Sequence, residues 1–334
     1  MTSVLQVEDL RVWVAGSGKP VLVVDGVDLD IQAGKVLGLA GESGSGKSIS
    51  AQSLIGILGE KFVYEGDIAL EGRAIGHGGE SFKNVRGREI SMIFQDPLNS
   101  LHPQIQVGKQ LIEHAIRFGQ SRSEAISRAK ELLREVRIPD ADRAMKSYPH
   151  QFSGGMRQRI AIAMALVGDP KVLIADEPTT ALDVTVQAGV LRLIKRLCRE
   201  RDLGVMIITH DLGVMDAMAD DLTIMYAGRV VESGCAQDVL RAPRHPYTQQ
   251  LVASLPMGPS RDGGKARSMQ AIKGEPATPR NRPPGCAFNP RCPWAEDRCT
   301  EIVPPLEDRG GGRESACLVD PFVPVEAVRK AEAR

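Results

Sequence analysis

The chain has 334 residues, of which 42% are hydrophobic and 25% charged, so it can bury a full core and exceeds the usual length of one compact domain. Its 42 basic and 42 acidic residues cancel, which excludes a strong overall field towards nucleic acid or anionic lipid, and we predict no nucleic-acid partner. The longest apolar run, Ile160 to Val167, is far shorter than the ~20 residues that span a bilayer. With no secretory-signal pattern at the N-terminus, we expect two domains and a cytoplasmic location, where cysteines are free thiols or metal ligands.

Short apolar runs that alternate with helical patterns predict an α/β fold. Val27 to Ile31 alternates apolar and polar residues and predicts a half-buried strand. Ser121 to Val136 has helical periodicity, and Ser121 with Glu124 predicts a capping box at its start. Continuous apolar runs predict buried parallel strands at Val36 to Ala40, Val172 to Ala175 and Val205 to Ile208.

The sequence from Gly41 to Ser48 is a glycine-rich loop between the predicted strand Val36 to Ala40 and a helix-compatible segment, Ile49 to Leu58. Its backbone N–H groups can point at phosphates, Lys47 can pair with the β and γ oxygens, and Ser48 can ligate magnesium. The alternative is a glycine turn that arose by chance. The predicted nucleotide contacts are Gly41, Ser43, Gly44, Ser45, Gly46, Lys47, Ser48 and Ile49.

Two carboxylates, Asp176 and Glu177, directly follow the predicted strand Val172 to Ala175. This arrangement suits a magnesium ligand, Asp176, beside a general base, Glu177, that orients an attacking water. Paired acids at a strand end also occur in ordinary solvated loops, so this pair alone leaves both interpretations open.

The segment Phe152-Ser153-Gly154-Gly155-Met156-Arg157-Gln158 resembles the signature motif of ABC ATPases, although Met156 stands where glutamine is common. The resemblance implies an ABC-type nucleotide-binding domain with antiparallel β and helical subdomains, which uses ATP and Mg²⁺. It also implies that Ser153, Gly154 and Gly155 close over the γ-phosphate held by a partner subunit. We therefore expect the chain to act with a second ABC ATPase subunit, identical or related.

Four further elements stand in the order that the resemblance implies. They are Gln95, which senses magnesium and the permease; Asp183 in the dimer-contact loop Ala181-Leu182-Asp183; His210, which would hydrogen-bond the γ-phosphate; and Trp13, which would stack on adenine. Taken singly, His210 would be an ordinary loop histidine. For Trp13 the alternative to stacking is a core side chain on a strand. The glycines at 16 and 18 also leave the alignment of Trp13 open.

The C-terminal part of the chain is rich in proline and cysteine. Twelve of the 21 prolines follow Leu255, which predicts a loop-rich extension that is either disordered or organised around a metal. Four thiols separated by 5, 6 and 17 residues could form a zinc site or hold a four-iron cluster, and neither spacing is standard. These predicted metal ligands are Cys286, Cys292, Cys299 and Cys317.

Within the ABC family, Phe94-Gln95-Asp96-Pro97, His245-Pro246-Tyr247-Thr248 and the cysteine tail resemble the oligopeptide and dipeptide importer branch. The resemblance implies an ABC domain at 1–245, with a helical subdomain at about 96–165, and a C-terminal region at 246–334 that carries a [4Fe-4S] cluster, with Zn²⁺ as the alternative. It further implies an ATPase motor peripheral to the cytoplasmic side of the inner membrane, with two permeases and an extracytoplasmic solute-binding protein.

Three alternatives to a peptide importer stay open from the sequence. The first is a soluble ABC ATPase without a permease. The second is a module that does not hydrolyse ATP, which the presence of Glu177 and His210 disfavours. The third is an importer of nickel, glutathione or another small solute.

Overall fold

The structure is a computed structural model that describes residues 2–16, 18–76, 81–95, 100–180, 182–254 and 272–321. Two sheets, with helices packed against them, form its frame. None of the helices in these ranges has the length and apolar character needed to cross a membrane.

The strands of the described residues fall into an antiparallel sheet of four strands and a mixed sheet of eight. Their bounds are β1 Ser3–Val14, β2 Val21–Gln32, β3 Val36–Ala40, β4 Phe62–Leu70, β5 Arg73–Ala74, β6 Ile90–Ile93, β7 Val172–Asp176, β8 Gly204–Ile208, β9 Asp221–Tyr226, β10 Arg229–Cys235, β11 Glu307–Asp308 and β12 Glu314–Ser315. The antiparallel sheet has the order β2-β1-β4-β5.

The mixed sheet positions the nucleotide site. Its order is β11-β12-β10-β9-β3-β8-β7-β6, and the strands from β9 to β6 run parallel. All five residues of β3, β7 and β8 are buried, as the continuous apolar runs predicted. Because parallel strands end at one edge, the loops that follow β3, β7 and β8 meet there.

Helices cover the mixed sheet and form a separate group in the middle of the chain. Their bounds are α1 Lys47–Ser53, α2 Val107–Arg117, α3 Arg122–Glu135, α4 Ala141–Lys146, α5 Gly154–Ala165, α6 Val184–Glu200, α7 Leu212–Met218, α8 Ala236–Arg241, α9 Pro246–Ala253 and α10 Asp297–Glu301. The helices α2, α3, α4 and α5 pack on one another. They lie within the range of about 96–165 for which a helical subdomain is predicted, and the first residues of that range, 96–99, lie outside the described residues.

Two helix predictions had different outcomes. The capping box of α3 is confirmed, because the backbone N–H of Ser121 donates to Oε2 of Glu124 at 2.8 Å and the N–H of Glu124 donates to Oγ of Ser121 at 3.3 Å. The helix expected from Ile49 to Leu58 is wrong at its end, since α1 stops at Ser53. At Gly56 the chain takes φ +60°, and a Cβ there would lie 2.3 Å from the ring of Phe82, so the backbone turns where only glycine fits.

The C-terminal region folds onto the mixed sheet. Strand β12 pairs with β10 and with β11, and Arg313 in the adjoining loop donates to the buried carboxylate of Glu232 at 3.0 Å. The ring of Phe288 lies 5.4 Å from the rings of Tyr226 and Tyr247. Packing and hydrogen bonds therefore order residues 272–321, whereas the sequence predicts a region that is either disordered or organised around a metal. The predicted composition break after Leu255 lies outside the described residues.

Candidate nucleotide site

The predicted phosphate loop follows β3 and leads directly into α1. Gly41 has φ +150°, and a Cβ at that position would lie 2.2 Å from the carbonyl oxygen of Met225, so the loop can pass this close to β9 only with glycine. Gly46 caps α1 with φ +102° and provides no side chain to bond the first amides of the helix. Ser43 and Gly44 are exposed at the tip. The loop thus offers backbone N–H groups to an anion at the sheet edge.

Lys47 is the first residue of α1, and its side chain folds back into the loop. Its Nζ donates to the carbonyl oxygens of Gly41 at 2.8 Å and Glu42 at 2.9 Å, and it lies 3.3 Å from Oγ of Ser45. Burial lowers the pKa of Lys47, while the carboxylates of Glu177, Asp176 and Glu42 oppose that shift. The ammonium group is therefore surrounded by oxygen atoms, a setting in which phosphate oxygens can take the place of loop carbonyls.

Asp176 ends β7 with its carboxylate buried beside the loop. Its Oδ1 has no hydrogen-bond partner among the described residues. Burial raises the pKa of this carboxyl group, and the nearby hydroxyl of Ser48 opposes part of the rise. A buried carboxylate oxygen without a partner, next to a serine hydroxyl, is a donor set that fits Mg²⁺.

Glu177 brings together three segments that are far apart in sequence. Its Oε1 lies 2.8 Å from Nδ1 of His210, and its Oε2 accepts hydrogen bonds from Oγ1 of Thr180 at 2.7 Å and from Nε2 of Gln95 at 3.4 Å. Gln95 follows β6, while His210 follows β8. The structure therefore brings the predicted residues Gln95, Glu177 and His210 together at the ends of neighbouring parallel strands.

The surroundings of Glu177 favour its ionised form. Burial disfavours the charge, but the hydrogen bonds from His210 and Thr180 outweigh it, so the pKa of Glu177 lies below its ordinary value. Its backbone has φ +46°, an uncommon conformation for a residue other than glycine, and its N–H donates to the carbonyl oxygen of Ile208 at 2.8 Å. The side chain is thus held at the sheet edge in its ionised form.

The signature residues lie at the start of α5. The N–H of Met156 donates to Oγ of the exposed Ser153, so Ser153 caps this helix. A Cβ on Gly155 would lie 2.3 Å from Val186 of α6, so this glycine permits close packing of the two helices. No hydrogen bond or ion pair in the described part of the chain joins 153–155 to the chain's own phosphate loop.

The remaining residues predicted to contact a nucleotide take part in hydrogen bonds or packing within the chain. Asp183 caps α6 through its Oδ1, which accepts from the N–H of Val186 at 2.9 Å, and its neighbour Ala181 lies outside the described residues. Trp13 is half-buried on β1, where its backbone pairs with Leu22 and Val63. Ile49 packs in α1 against the core between the sheets. Their predicted contacts with a nucleotide stay predictions.

A second set of contacts reaches the phosphate loop from the C-terminal region, and the sequence analysis assigned it no role. Arg291 donates to both carboxylate oxygens of Glu42, at 2.7 and 3.0 Å. The hydroxyl of Tyr247 accepts a hydrogen bond from the N–H of Glu42 at 2.8 Å. Tyr247 belongs to the segment His245-Pro246-Tyr247-Thr248, but no local sequence pattern shows that Tyr247 or Arg291 meets the loop.

The four tail cysteines line one cavity of about 10 Å³, which is room for about one water molecule. Burial raises the pKa of Cys286 to about 11 and of Cys292 to about 12, and neighbouring cysteines add to both shifts. Within the ranges that the structure describes, however, no three His, Cys, Asp or Glu side chains are gathered closely enough to hold one metal ion. The donor set is therefore all sulfur and convergent, but not arranged as a formed coordination shell.

A larger open space lies elsewhere. A groove of about 750 Å³ runs along α6, lined by basic side chains that include Arg137, Arg159 and Arg192, and no residue of the nucleotide site lines it. Cavity volume alone therefore does not identify the nucleotide site, because the phosphate loop lies on an open surface at the sheet edge.

Two families match the chain. Residues 24–180 match the family of ABC transporters, and residues 231–299 match the C-terminal region of oligopeptide/dipeptide transporters. The oligopeptide transport ATP-binding protein AppD of Bacillus subtilis is 44% identical over 324 residues, which cover 96% of this chain and 97% of that protein. The dipeptide transport ATP-binding protein DppD of the same organism is 40% identical, with both chains fully covered.

Solved structures of other proteins have a fold similar to that of this chain. The cbiO1 protein of Clostridium perfringens, described as part of the transporter complex cbiONQ, matches with a TM-score of 0.63 and 28% identity over 72% of this chain and 91% of its own. The ATP-binding cassette MJ0796, in a dimeric post-hydrolysis state bound to ADP and Pi, matches with a TM-score of 0.60 and 25% identity over 70% of this chain and 98% of its own.

Proposed function

Because the chain belongs to the family of ATP-binding subunits of oligopeptide and dipeptide ABC transporters, we propose that it is the ATP-hydrolysing motor of a peptide importer. The single observation that carries the enzymatic part is the convergence of Gln95, Thr180 and His210 on the carboxylate of Glu177, next to the phosphate loop. A loop that bound phosphate without hydrolysing it would not need a carboxylate held in its ionised form.

Each residue of the site has a step in this proposal. The backbone amides of the phosphate loop other than that of Glu42, and the ammonium of Lys47, bind the phosphates of ATP. Lys47 exchanges the carbonyls of Gly41 and Glu42 for β and γ oxygens. Glu177 accepts a proton from the attacking water, and Nδ1 of His210 holds the carboxylate in place. The other ring nitrogen of His210 is then able to face the γ-phosphate.

Ser48, Asp176 and Gln95 would hold Mg²⁺ in this proposal. The unpartnered Oδ1 of Asp176 beside the Ser48 hydroxyl supports it. When bound, the ion neutralises charge on the β- and γ-phosphates. Since burial raises the pKa of Asp176, its carboxylate is destabilised until a cation compensates, which favours the loaded state.

The placement of the signature residues supports a two-chain site. Ser153, Gly154 and Gly155 make no polar contact with their own loop in the described residues, and Ser153 is exposed. We expect them to complete the nucleotide site of a second ABC ATPase subunit, with Asp183 at the contact between subunits. MJ0796, whose fold is similar, is a dimer.

Transport then requires partners. The proposal includes two membrane permeases that the ATPase pair drives, an extracytoplasmic solute-binding protein that delivers peptide, and a peripheral position on the cytoplasmic side of the inner membrane. The names of AppD and DppD support oligopeptide or dipeptide as the cargo.

We also propose that Cys286, Cys292, Cys299 and Cys317 hold a metal, as a [4Fe-4S] cluster rather than Zn²⁺. Their convergence on one cavity supports this assignment, and forming the site would require the four thiols to draw together. Burial is the main cause of the raised pKa of Cys286 and of Cys292, and the neighbouring thiols add to it, which supports their proximity.

Reconstitution with the permease pair encoded nearest to this chain tests the function. Proteoliposomes with ATP on the side of this subunit should take up labelled peptide from the other side when the binding protein is present. Hydrolysis should rise with peptide and binding protein. Uptake of nickel or glutathione instead of peptide would overturn the cargo assignment, and failure to capture any membrane subunit in detergent would favour a soluble ABC ATPase.

A further inference from the structure

Glu42 lies inside the phosphate loop, and every polar group it has is bonded within the protein. Its carbonyl oxygen accepts from Nζ of Lys47 at 2.9 Å and from the N–H of Ser45 at 3.2 Å. Its N–H donates to the hydroxyl of Tyr247. Its backbone therefore contacts the two loop residues, Ser45 and Lys47, whose positions set the geometry around the phosphates.

The carboxylate of Glu42 is held by Arg291, which comes from the turn Asn289–Arg291 between the first two tail cysteines. Only 4% of the Arg291 side chain is exposed. Besides the two-pronged contact with Glu42, its Nε and Nη2 donate to the carbonyl oxygens of Lys273 and Ile272. Its Nη1 also donates to the hydroxyl of Tyr226. A planar guanidinium with fixed partners on every side holds the carboxylate in one position.

The charge of Glu42 makes this contact relevant to the ligand. A carboxylate in a loop that binds polyphosphate repels that ligand, and the same carboxylate attracts Lys47. With Arg291 bound to both oxygens, the negative charge of Glu42 is neutralised, and its carboxylate is held towards the C-terminal region. Without Arg291, an unpaired acid would remain beside the phosphates and the loop would lose an anchor.

We propose that Arg291 is a positioning residue for the phosphate loop, through which the C-terminal region sets the affinity of the chain for ATP. This inference rests on the proposed function only in requiring that 41–48 bind ATP. It assigns the C-terminal region a part in nucleotide binding whatever the cargo is and whether or not the cysteines hold a metal.

Arg282 provides a matched control within the same region. Its side chain is 13% exposed and donates to Oδ2 of Asp25 at 2.8 Å and to the carbonyl oxygen of Leu22 at 3.3 Å. It too is an arginine of the C-terminal region paired with a carboxylate of the ATP-binding part, but that carboxylate lies on β2, outside the phosphate loop. Arg282→Met therefore removes an ion pair of the C-terminal region without touching Glu42, and Asp25 keeps its ion pair with Arg229 at 2.7 Å.

The test measures ADP and ATP affinity of the full-length chain with a fluorescent nucleotide, together with KM and kcat for ATP. We expect Arg291→Met to raise Kd and KM roughly ten-fold, because a charge-assisted two-pronged contact is lost, while kcat changes less than about two-fold. Arg291→Lys, which keeps the charge but not the fork, should give an intermediate Kd. Arg282→Met should leave Kd within about two-fold of the wild type.

A double-mutant cycle separates this coupling from a general loss of stability. In a Glu42→Gln background no carboxylate remains to be left unpaired, so adding Arg291→Met should change Kd by less than about two-fold. The inference is overturned if the wild type binds nucleotide and Arg291→Met binds equally well, or if both arginine variants weaken binding equally. If Arg291→Met does not fold, Arg291→Lys takes its place in the cycle. This variant should then raise Kd in the wild-type background and change it by less than about two-fold in the Glu42→Gln background. A wild type that binds no nucleotide would instead overturn the proposed ATPase function.

Discussion

Nδ1 of His210 lies 2.8 Å from Oε1 of Glu177, so the residues that follow two adjacent parallel strands, β8 and β7, share one hydrogen bond. The side chain of His210 is 68% exposed, whereas that of Glu177 is 17% exposed. The carboxylate of Glu177 is thus recessed at the sheet edge, while the imidazole of His210 that contacts it is largely exposed. In the proposed function, this pairing would connect the residue that activates water to the residue that contacts the γ-phosphate.

Replacing Glu177 with Gln should stop turnover and retain ATP. The amide keeps the size of the side chain but cannot accept a proton, and general-base catalysis accounts for about 10²–10⁴ in rate. We expect kcat to fall at least 100-fold while the Kd for ATP stays near that of the wild type. Single-turnover hydrolysis and filter binding measure the two quantities, and near-normal hydrolysis by this variant would remove Glu177 from its role.

Replacing His210 with Ala should move the acid limb of the pH profile to higher pH. Burial raises the pKa of Glu177, but the hydrogen bonds from His210 and Thr180 bring it below its ordinary value. Without His210 the pKa rises, so the base becomes protonated and activity is lost at a higher pH than in the wild type. Profiles of kcat/KM between about pH 5 and 8 measure this shift. Lower activity with an unmoved acid limb would mean that His210 acts on the phosphate alone.

Replacing Ser153 with Arg should separate binding from hydrolysis. In the proposed two-chain site Ser153 contacts only the nucleotide of the partner, so a monomer should bind ATP with unchanged Kd. The long cationic side chain should prevent closure of the pair and reduce hydrolysis by about 100-fold, comparable to the loss of a transition-state donor. Size-exclusion chromatography with ATP should show loss of the dimer. A weakened monomer Kd would indicate that the signature acts within its own chain.

Stability should fall in mild acid because of His245. This buried residue caps α9 by accepting from the N–H of Tyr247, and burial lowers its pKa from 6.5 to about 3. Between these two values the unfolded chain binds a proton that the folded chain does not, so the free energy of unfolding falls as pH decreases from 6.5 towards 3. His245→Asn keeps the cap without the titration and should flatten this dependence.

Urea unfolding at several pH values measures that effect. The His245→Asn variant should lose about 1–2 kcal/mol at neutral pH because its smaller side chain packs less well. The exposed His150, replaced by Asn, provides the control and should leave the pH dependence as in the wild type. An equal acid loss in wild type and His245→Asn would place the sensitive group elsewhere.

Protein purified without oxygen should be brown, with broad absorbance near about 400 nm, if the four tail cysteines hold an iron–sulfur cluster. Serine at Cys286 or Cys292 should remove the colour and the bound iron, and serine at Cys235, which is exposed on β10, should not. Metal analysis and absorbance are the measurements. Colourless protein with one zinc per chain would contradict the cluster and retain a metal site.

The sequence by itself predicted most of the parallel sheet and the order of the nucleotide motifs. Continuous apolar runs such as Val36 to Ala40 need burial on both faces, and a covered parallel strand provides it. The glycine loop and the cap at Ser121 are local, because their geometry depends on neighbouring residues. The sequence did not predict where α1 ends, because the helix-compatible residues continue past Ser53. The turn at Gly56 fits against Phe82, a side chain that is distant in sequence.

Tertiary structure alone decided which distant residues meet. The hydrogen bonds of Glu177 depend on the order of β6, β7 and β8 in the sheet, which no local pattern encodes. The exposure of Cys235 and the burial of Cys198 also depend on what covers the element that carries each of them. The contact of Arg291 with Glu42 joins residues 249 positions apart. A long-range ion pair leaves no periodicity in sequence, because it is defined by the packing of elements and not by the spacing within one.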